Sequence, residues 1–326
     1  MRGGMDYTKV IKEVGRGKNH ARDLDQETAY KLYCLMLNGD VPELELGGLL
    51  IALRIKGESE SEMRGFYQAM SERVLRLRPP EKGPMPVVIP SYNGARRQAN
   101  LTPLLALLLA KLGYPVVVHG VSDDPTRVTS AEILHNLGIS AVESAEQAQR
   151  LLDKGEPLFI PISLLCPPID RQLQLRWRMG VRNSSHTLAK LATPFAEGGA
   201  LRLASVSHPE YISRVATFFR DIEGRALLMH GTEGEVYASP QRCPEIHFIH
   251  QQKTQVLQLR QDIAPAPDGL PIAKDAATTA RWTAQCLAGE IALPQAIRLQ
   301  LACCLVAGGD APSMEQAVAN IRKRLG

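Results

Sequence analysis

The chain has 326 residues, 44% of them hydrophobic and 22% charged, and 38 Lys and Arg against 34 Asp and Glu give a formal net charge of +4. Such usage is that of a globular protein and excludes a disordered chain, a collagen, a coiled coil and a disulfide scaffold. The length allows about two domains, each with a core of its own.

Residues 5–78 read as helices. Asp25 before Gln26-Glu27-Thr28 is an N-cap, and Gly39 is the matching stop. A second helix runs from Glu43 to Lys56 and stops at Gly57; a third opens on the capping box Ser59 and Glu62 and carries Met63, Phe66, Met70 and Val74 at helical spacing. Pro79-Pro80, Gly83, Pro84 and Pro86 punctuate a linker. Beyond it, Val87-Val88-Ile89 and Val116-Val117-Val118 flank a helix that starts at Asn100 or Thr102 and ends at Gly113, a strand–helix–strand unit that implies a parallel sheet. Leu158-Phe159-Ile160 and residues 201–206 and 225–229 read as further strands, residues 169–191 lack strand character, and residues 275–325 are helical. The expected fold class is α/β: a small all-helical domain (residues 1–78, rejoined by about 165–192) and a larger α/β domain with a mainly parallel central sheet (79–164 and 193–326).

The most apolar window, residues 104–110, is far shorter than the roughly 20 residues of a spanning helix, so no membrane association is expected. No apolar stretch follows Met1-Arg2-Gly3-Gly4-Met5 as it does in a secretory signal. Cys34, Cys166, Cys243, Cys286, Cys303 and Cys304 have no metal-ligand spacing. Neither zinc nor disulfides are expected, and the expected setting is the reducing cytoplasm.

The charge is unevenly placed. Arg171, Arg176, Arg178, Arg182 and Lys190 fall in one stretch without an Asp or Glu, which alone exceeds the net charge of the chain. A second cluster, Lys9, Lys12, Arg16, Lys18 and Arg22, is opposed only by Glu13; its Gly15-Arg16-Gly17-Lys18-Asn19-His20 segment suits a loop that approaches a phosphate backbone. A charge run is ordinarily a solvated face; two of them in one helical domain bring in the alternative of a nucleic-acid surface. Trp177 is expected in the core, with stacking on a base as the alternative.

Ala52-Leu53-Arg54-Ile55-Lys56-Gly57-Glu58 resembles the helical-domain signature of anthranilate phosphoribosyltransferases and related nucleoside phosphorylases, and the likeness extends over most of the chain. It implies a homodimer joined through the helical domains. In that family a Gly-Thr-Gly-Gly-Asp-Gly loop admits the diphosphate of phosphoribosyl pyrophosphate. Pro90-Ser91-Tyr92-Asn93-Gly94-Ala95 stands in its place, with one glycine left, no Asp, and Tyr92 in room the substrate needs. Asn100-Leu101-Thr102-Pro103 keeps part of the next motif, His119-Gly120 part of a third, and Arg127 stands where the family has a phosphate-contacting Lys. The resemblance thus implies a vestigial phosphate cleft made by Ser91, Asn93, Gly94, Asn100, Thr102, His119 and Arg127. Val236 and Tyr237 occupy the positions of the family's magnesium-binding carboxylates, which implies no metal and no cofactor. No residue is assigned a catalytic role: His119 and His230 are expected as packed histidines, Glu233 and Glu235 as solvated loop carboxylates, and Ser184-Ser185-His186 as a helix start.

Arg176 aligns with the family's anthranilate-binding Arg, and Gly180-Val181-Arg182 resembles its Gly-Ile-Arg. The stretches 15–25 and 177–183 resemble most a bacterial branch that keeps the transferase fold and binds nucleic acid. The expectation is a homodimer that binds DNA or RNA without sequence preference through the ten basic residues of the two clusters, with transferase activity lost. The alternatives are phosphoribosyl transfer to an unidentified acceptor, and a small anion held in the cleft.

Overall fold

The computed structural model describes residues 4–266 and 268–326. Four helices come first: α1 (Tyr7–Val14), α2 (Gln26–Asn38), α3 (Glu43–Lys56) and α4 (Glu60–Ser71). Strands and helices then alternate as β1 (Val87–Ser91), α5 (Thr102–Lys111), β2 (Val116–Gly120), α6 (Ser130–Asn136), α7 (Ala145–Asp153) and β3 (Leu158–Pro161). Short helices follow: α8 (Ile162–Leu165), α9 (Pro167–Gln174), α10 (Arg176–Met179) and α11 (Ser184–Ala189). Next come β4 (Leu201–Val206), α12 (Ile212–Asp221), β5 (Arg225–His230), β6 (Arg242–Cys243), β7 (Ile246–His250), β8 (Lys253–Gln258) and β9 (Gln261–Asp262). The chain closes with α13 (Ala276–Leu287), α14 (Gln295–Ala307) and α15 (Met314–Leu325). It divides into two compact units: a helical one running to Leu75 and resuming over Ile162–Ala192, and an α/β one made of Arg76–Pro161 and Thr193–Gly326.

Local chemistry sets the helix ends of the first unit. Asp25 accepts from the Thr28 amide, Gly39 takes φ 77°, and Ser59 and Glu62 cap each other reciprocally. Glu62 is fully buried and accepts from the amides of Leu24 and Ser59 and from Lys56 Nζ, which ties α4 to the end of α3. Tyr33 stacks on Phe66 at 4.6 Å. The later segment joins this core because Tyr33 and Ser185 share a hydroxyl hydrogen bond and Leu75 N donates to Leu165 O at 2.8 Å.

In the second unit the sheet order is β3-β2-β1-β4-β5-β7-β8, parallel through β5 and antiparallel beyond. Strand order reverses between β1 and β4. The ladder between them ends at Val88↔Arg202, short of Pro90, which has no N–H to extend it. A doubly wound sheet offers a crevice at such a switch point, beyond the C-terminal ends of its strands. α5 is buried from Thr102 to Leu109, as its unbroken apolar run requires. The hairpin β7–β8 and the ribbon β6–β9 carry no apolar run in sequence, since β8 is a half-solvated edge strand with Lys253, Thr254, Gln255 and Val256 exposed. The six cysteines are free, and burial pushes the Cys304 thiol up to about 12, so Cys303-Cys304 acts as apolar filling. Among the described residues no helix is long and apolar enough to cross a membrane.

Candidate functional site

The switch point of the α/β unit holds a closed hydrogen-bonded cradle. Its centre is the carboxylate of Glu235, 1% exposed. Oε1 accepts from the hydroxyls of Ser91 at 2.5 Å and Thr102 at 2.9 Å; Oε2 accepts from the amides of Asn93 at 3.1 Å and Gly94 at 3.2 Å. Because Ser91 gives its proton to Glu235, the 2.6 Å contact with Ser130 must be donated by Ser130, whose oxygen in turn accepts from Asn100 Nδ2 at 3.0 Å. These donors thus form a polarised chain ending on one buried carboxylate. Asn100 Oδ1 also accepts from the Thr102 amide and so covers the start of α5.

Five of the seven sequence-assigned cleft residues, Ser91, Asn93, Gly94, Asn100 and Thr102, meet in this cradle. Gly94 adopts φ 67°, and a Cβ there would lie 2.6 Å from Val128 O, so the bend that presents its amide admits only glycine. Arg127 precedes Val128, which pairs with Ala95 through both backbone bonds, and so stands beside the loop. His119 lies on β2, fully buried, its Nδ1 2.6 Å from the Tyr92 hydroxyl; Tyr92 is thereby turned into the fold. His230 differs from the expectation of a packed side chain: it is exposed and bonds Ser207 O through Nε2.

Glu233 and Glu235 correct the expectation of solvated loop carboxylates. Glu233 accepts from the amides of Arg97 at 2.9 Å and Gln98 at 3.3 Å, while Glu235 is sealed within the cradle. Glu233-Gly234 forms a two-residue turn between Thr232 and Glu235, whose amides and carbonyls bond each other both ways; the local sequence signals the turn and not the burial of its carboxylates. Val236 and Tyr237 are buried, and the Tyr237 hydroxyl donates to Ala99 O at 3.2 Å. Val236 and Tyr237 carry no carboxylate and Glu235 is committed to four donors, so the donor set here does not fit magnesium, which is held through free carboxylate oxygens. Among the described residues no group of three His, Cys, Asp or Glu could hold a metal.

In the helical unit, α3 lies between the two basic clusters. A Cβ on Gly48 would meet Ile11 Cδ1 of α1 at 4.0 Å, and one on Gly47 would meet Met179 Cε of α10 at 3.9 Å. Lys9, Lys12, Arg16, Lys18, Arg22, Arg171 and Arg178 are exposed, whereas Arg176, Arg182 and Lys190 are half-buried. Arg178 meets Glu43 at 3.3 Å at the solvent edge, Arg171 reaches Leu37 O at 3.4 Å, and Arg54 fixes the backbone at Arg182 O at 3.0 Å. His186 caps α11 with Asn183 and accepts the Asn183 amide on Nδ1. Its imidazole is pushed down to about 3, first by burial and then by Arg182, Arg176 and Lys190. Trp177 overturns its expectation of burial: it stands 52% exposed with the Arg176 guanidinium 4.5 Å from its ring centre. The signal was its place in a four-residue turn between arginines, too short to have an apolar face.

Residues 8–74 match the helical bundle domain of a glycosyl transferase family, and residues 93–325 match its a/b domain. The protein YbiB of Escherichia coli strain K12, described as uncharacterized, is 63% identical over 319 residues, covering 98% of this chain and 99% of that one. Anthranilate phosphoribosyltransferase of Methanopyrus kandleri is 26% identical over 292 residues, covering 86% and 83%. The crystal structure of anthranilate phosphoribosyltransferase from Thermus thermophilus superposes with a TM-score of 0.76 at 24% identity, over 98% of this chain and 94% of that one.

Proposed function

The chain belongs to the glycosyl transferase family that these two domains define, and on that premise we propose that it is a homodimeric, sequence-independent nucleic-acid-binding protein in which phosphoribosyl transfer has been lost. The observation that carries the binding half is the Arg176–Met179 turn. There a half-exposed tryptophan sits under one arginine and beside another, with no carboxylate in the stretch from Arg171 to Lys190. Lysine and arginine contacts to phosphate position a nucleic acid without reading it, which accounts for the absence of sequence preference. Leu44 and Ile55, 84% and 63% exposed on α3, support a helical-domain dimer, since a partner copy would remove them from water.

The loss of transfer is supported by Glu235. Phosphoribosyl transfer needs donors and a metal to neutralise the departing diphosphate. Here the loop amides that would serve are already bonded to a carboxylate of the same chain, and the metal ligands are replaced by Val236 and Tyr237. The family's magnesium is therefore no part of the proposed activity. Transfer to an unidentified acceptor is the second reading, favoured by Asn100, the hydroxyl of Thr102 and the positive charge kept at Arg127; phosphoribosyl pyrophosphate with magnesium bound by the wild-type chain would support it.

The decisive measurement is affinity for one oligonucleotide against salt. Six phosphate contacts give a log–log slope of about −5 on duplex, less on single strands. A flat salt response rejects nucleic-acid binding.

A further inference from the structure

We infer that the row Arg225, His250 and Lys253 is a binding site for a small phosphate-like oxyanion, at the end of the sheet opposite the cradle. Arg225 opens β5, whereas the cradle is built beyond the C-terminal ends of the parallel strands. The β5–β7 ladder closes at Ala226↔Ile249, so Arg225 and His250 are the next opposed pair, and His250 in turn faces Lys253 across β7–β8. Opposed residues of antiparallel strands project to one face, with their Cβ atoms about 5 Å apart. Three basic side chains thus stand side by side. The adjoining row on that face, Leu227, Phe248 and Gln255, carries no charge.

The guanidinium of Arg225 is poorly answered by the chain. Nη1 donates to the thioether of Met85 at 3.3 Å, a weak acceptor, and Nη2 donates to His250 Nε2 at 2.7 Å. Nε is sealed from solvent and has no acceptor. The carboxylates flanking this strand end are placed elsewhere: Glu197 pairs with Arg202 at 3.1 Å, and Glu223 is exposed in the turn before Arg225. A partly buried cation left with so few acceptors calls for an anion. Because His250 accepts on Nε2, its ring is neutral and its proton sits on Nδ1; burial first and then Arg225 push its pKa down. The imidazole therefore presents one more donor, and it is steadied by stacking on Phe248 at 5.8 Å.

The turn that joins the last two members of the row is strained. Gln251 and Gln252 take φ 51° and 64° in a two-residue hairpin loop, where asparagine and glycine are the usual occupants. Two arginines hold the hairpin in place: Arg225 through His250 on one face, and Arg220 on the other, whose Nη1 donates to Thr254 at 2.6 Å. Two fixed cations, an imidazole N–H and the unspent guanidinium N–H groups suit a doubly charged tetrahedral oxyanion.

Neither half of the proposed function enters this inference. The test titrates the full chain with inorganic phosphate at neutral pH, with potassium chloride of equal ionic strength as control, read by calorimetry and thermal unfolding. Wild type should bind phosphate saturably, with a Kd of about 1 mM and a Tm rise of about 5 °C at a hundredfold excess over Kd. Lys253→Gln, an exposed change that spares the hydrogen bonds of the hairpin, should weaken binding about fivefold. Arg225→Lys, which keeps the charge and loses the fork, should weaken it about tenfold or more. Lys12→Gln with Arg178→Gln, in the helical unit, should leave it unchanged. If Arg225→Lys does not fold, Lys253→Gln alone decides. The inference is overturned if wild type shows no saturable response, if the Lys253 and Arg225 variants bind as wild type does, or if the helical-unit variant abolishes binding. It is equally overturned if Arg225→Lys weakens an oligonucleotide as much as it weakens phosphate, since the row would then belong to the nucleic-acid surface.

Discussion

In the helical unit the Arg176–Met179 turn leaves Arg178 and Trp177 to solvent and crowds Arg176, Arg182 and Lys190 around a neutral histidine. In the α/β unit the Thr232–Glu235 turn drives its carboxylates inward until every acceptor site on Glu235 has a donor. Both are short turns rich in charge, and they differ in where the counter-charge sits. The acidic turn finds its partners buried in its own chain and becomes structure. In the basic turn Arg178 meets Glu43 at the solvent edge, where both side chains are mostly exposed and an external polyanion can compete for the guanidinium. Charge kept at a solvent edge is what a binding site retains, and charge satisfied in the interior is what a stability element uses.

The largest expected effect would break this comparison at its basic side. Lys12→Glu, Lys18→Glu and Arg178→Glu together reverse three exposed cations. Affinity for an oligonucleotide should fall about 100- to 1000-fold and the salt slope should flatten by about 0.9 per contact on duplex, with the thermal unfolding curve unmoved. Unchanged affinity would mean that the nucleic acid, if bound, lies elsewhere.

At the acidic side, Glu235→Ala leaves two buried hydroxyls and two amides without an acceptor, and should cost about 3 kcal/mol in urea unfolding. Glu235→Gln keeps one acceptor oxygen and should cost less. A loss below about 0.5 kcal/mol for the alanine variant, the range of an ordinary surface change, would show that the carboxylate is not structural.

A smaller effect sharpens the basic side. Trp177 and Trp282 are the two tryptophans, and Trp282 is 5% exposed, so quenching by single-stranded DNA reports on Trp177. Trp177→Ala should weaken single-strand binding about tenfold and leave the salt slope alone, since no charge is removed. Equal affinity for the variant would reduce the ring to a bystander.

The smallest effect is a titration. The folded imidazole of His186 sits far below its unfolded value of about 6.5. As pH falls through 6.5 the unfolded chain takes up the proton first, so the stability tied to neutral His186 is full above that pH and is lost progressively toward pH 3. The loss should be roughly 1 kcal/mol between pH 7 and 5 after solvent screening, and His186→Gln should remove most of that slope. A bound oligonucleotide, by screening Arg176, Arg182 and Lys190, should flatten it in part in wild type, since burial is the larger cause.

The division of labour between sequence and tertiary structure follows from range. Helix ends were legible because a cap is a contact over three residues: Asp25 to Thr28 and Ser59 to Glu62 lie where the pattern puts them. The parallel strands β1 to β5 were legible because strands covered on both faces are continuous apolar runs. Two charge clusters needed only counting. What the chain hides is anything whose partner is distant: Glu235 meets Ser91 across 144 residues and Thr102 across 133, and nothing in the local Thr-Glu-Gly-Glu pattern tells a solvated loop from a buried plug. The half-polar hairpin β7–β8 escaped for the same reason, since its strandedness comes from pairing with β5 rather than from its own composition. The sequence by itself therefore determined where the charges are and which helices and inner strands carry them. Only the folded chain decided which of those charges are answered from within, because a hydrogen bond acts over about 3 Å of space and takes no account of distance along the chain.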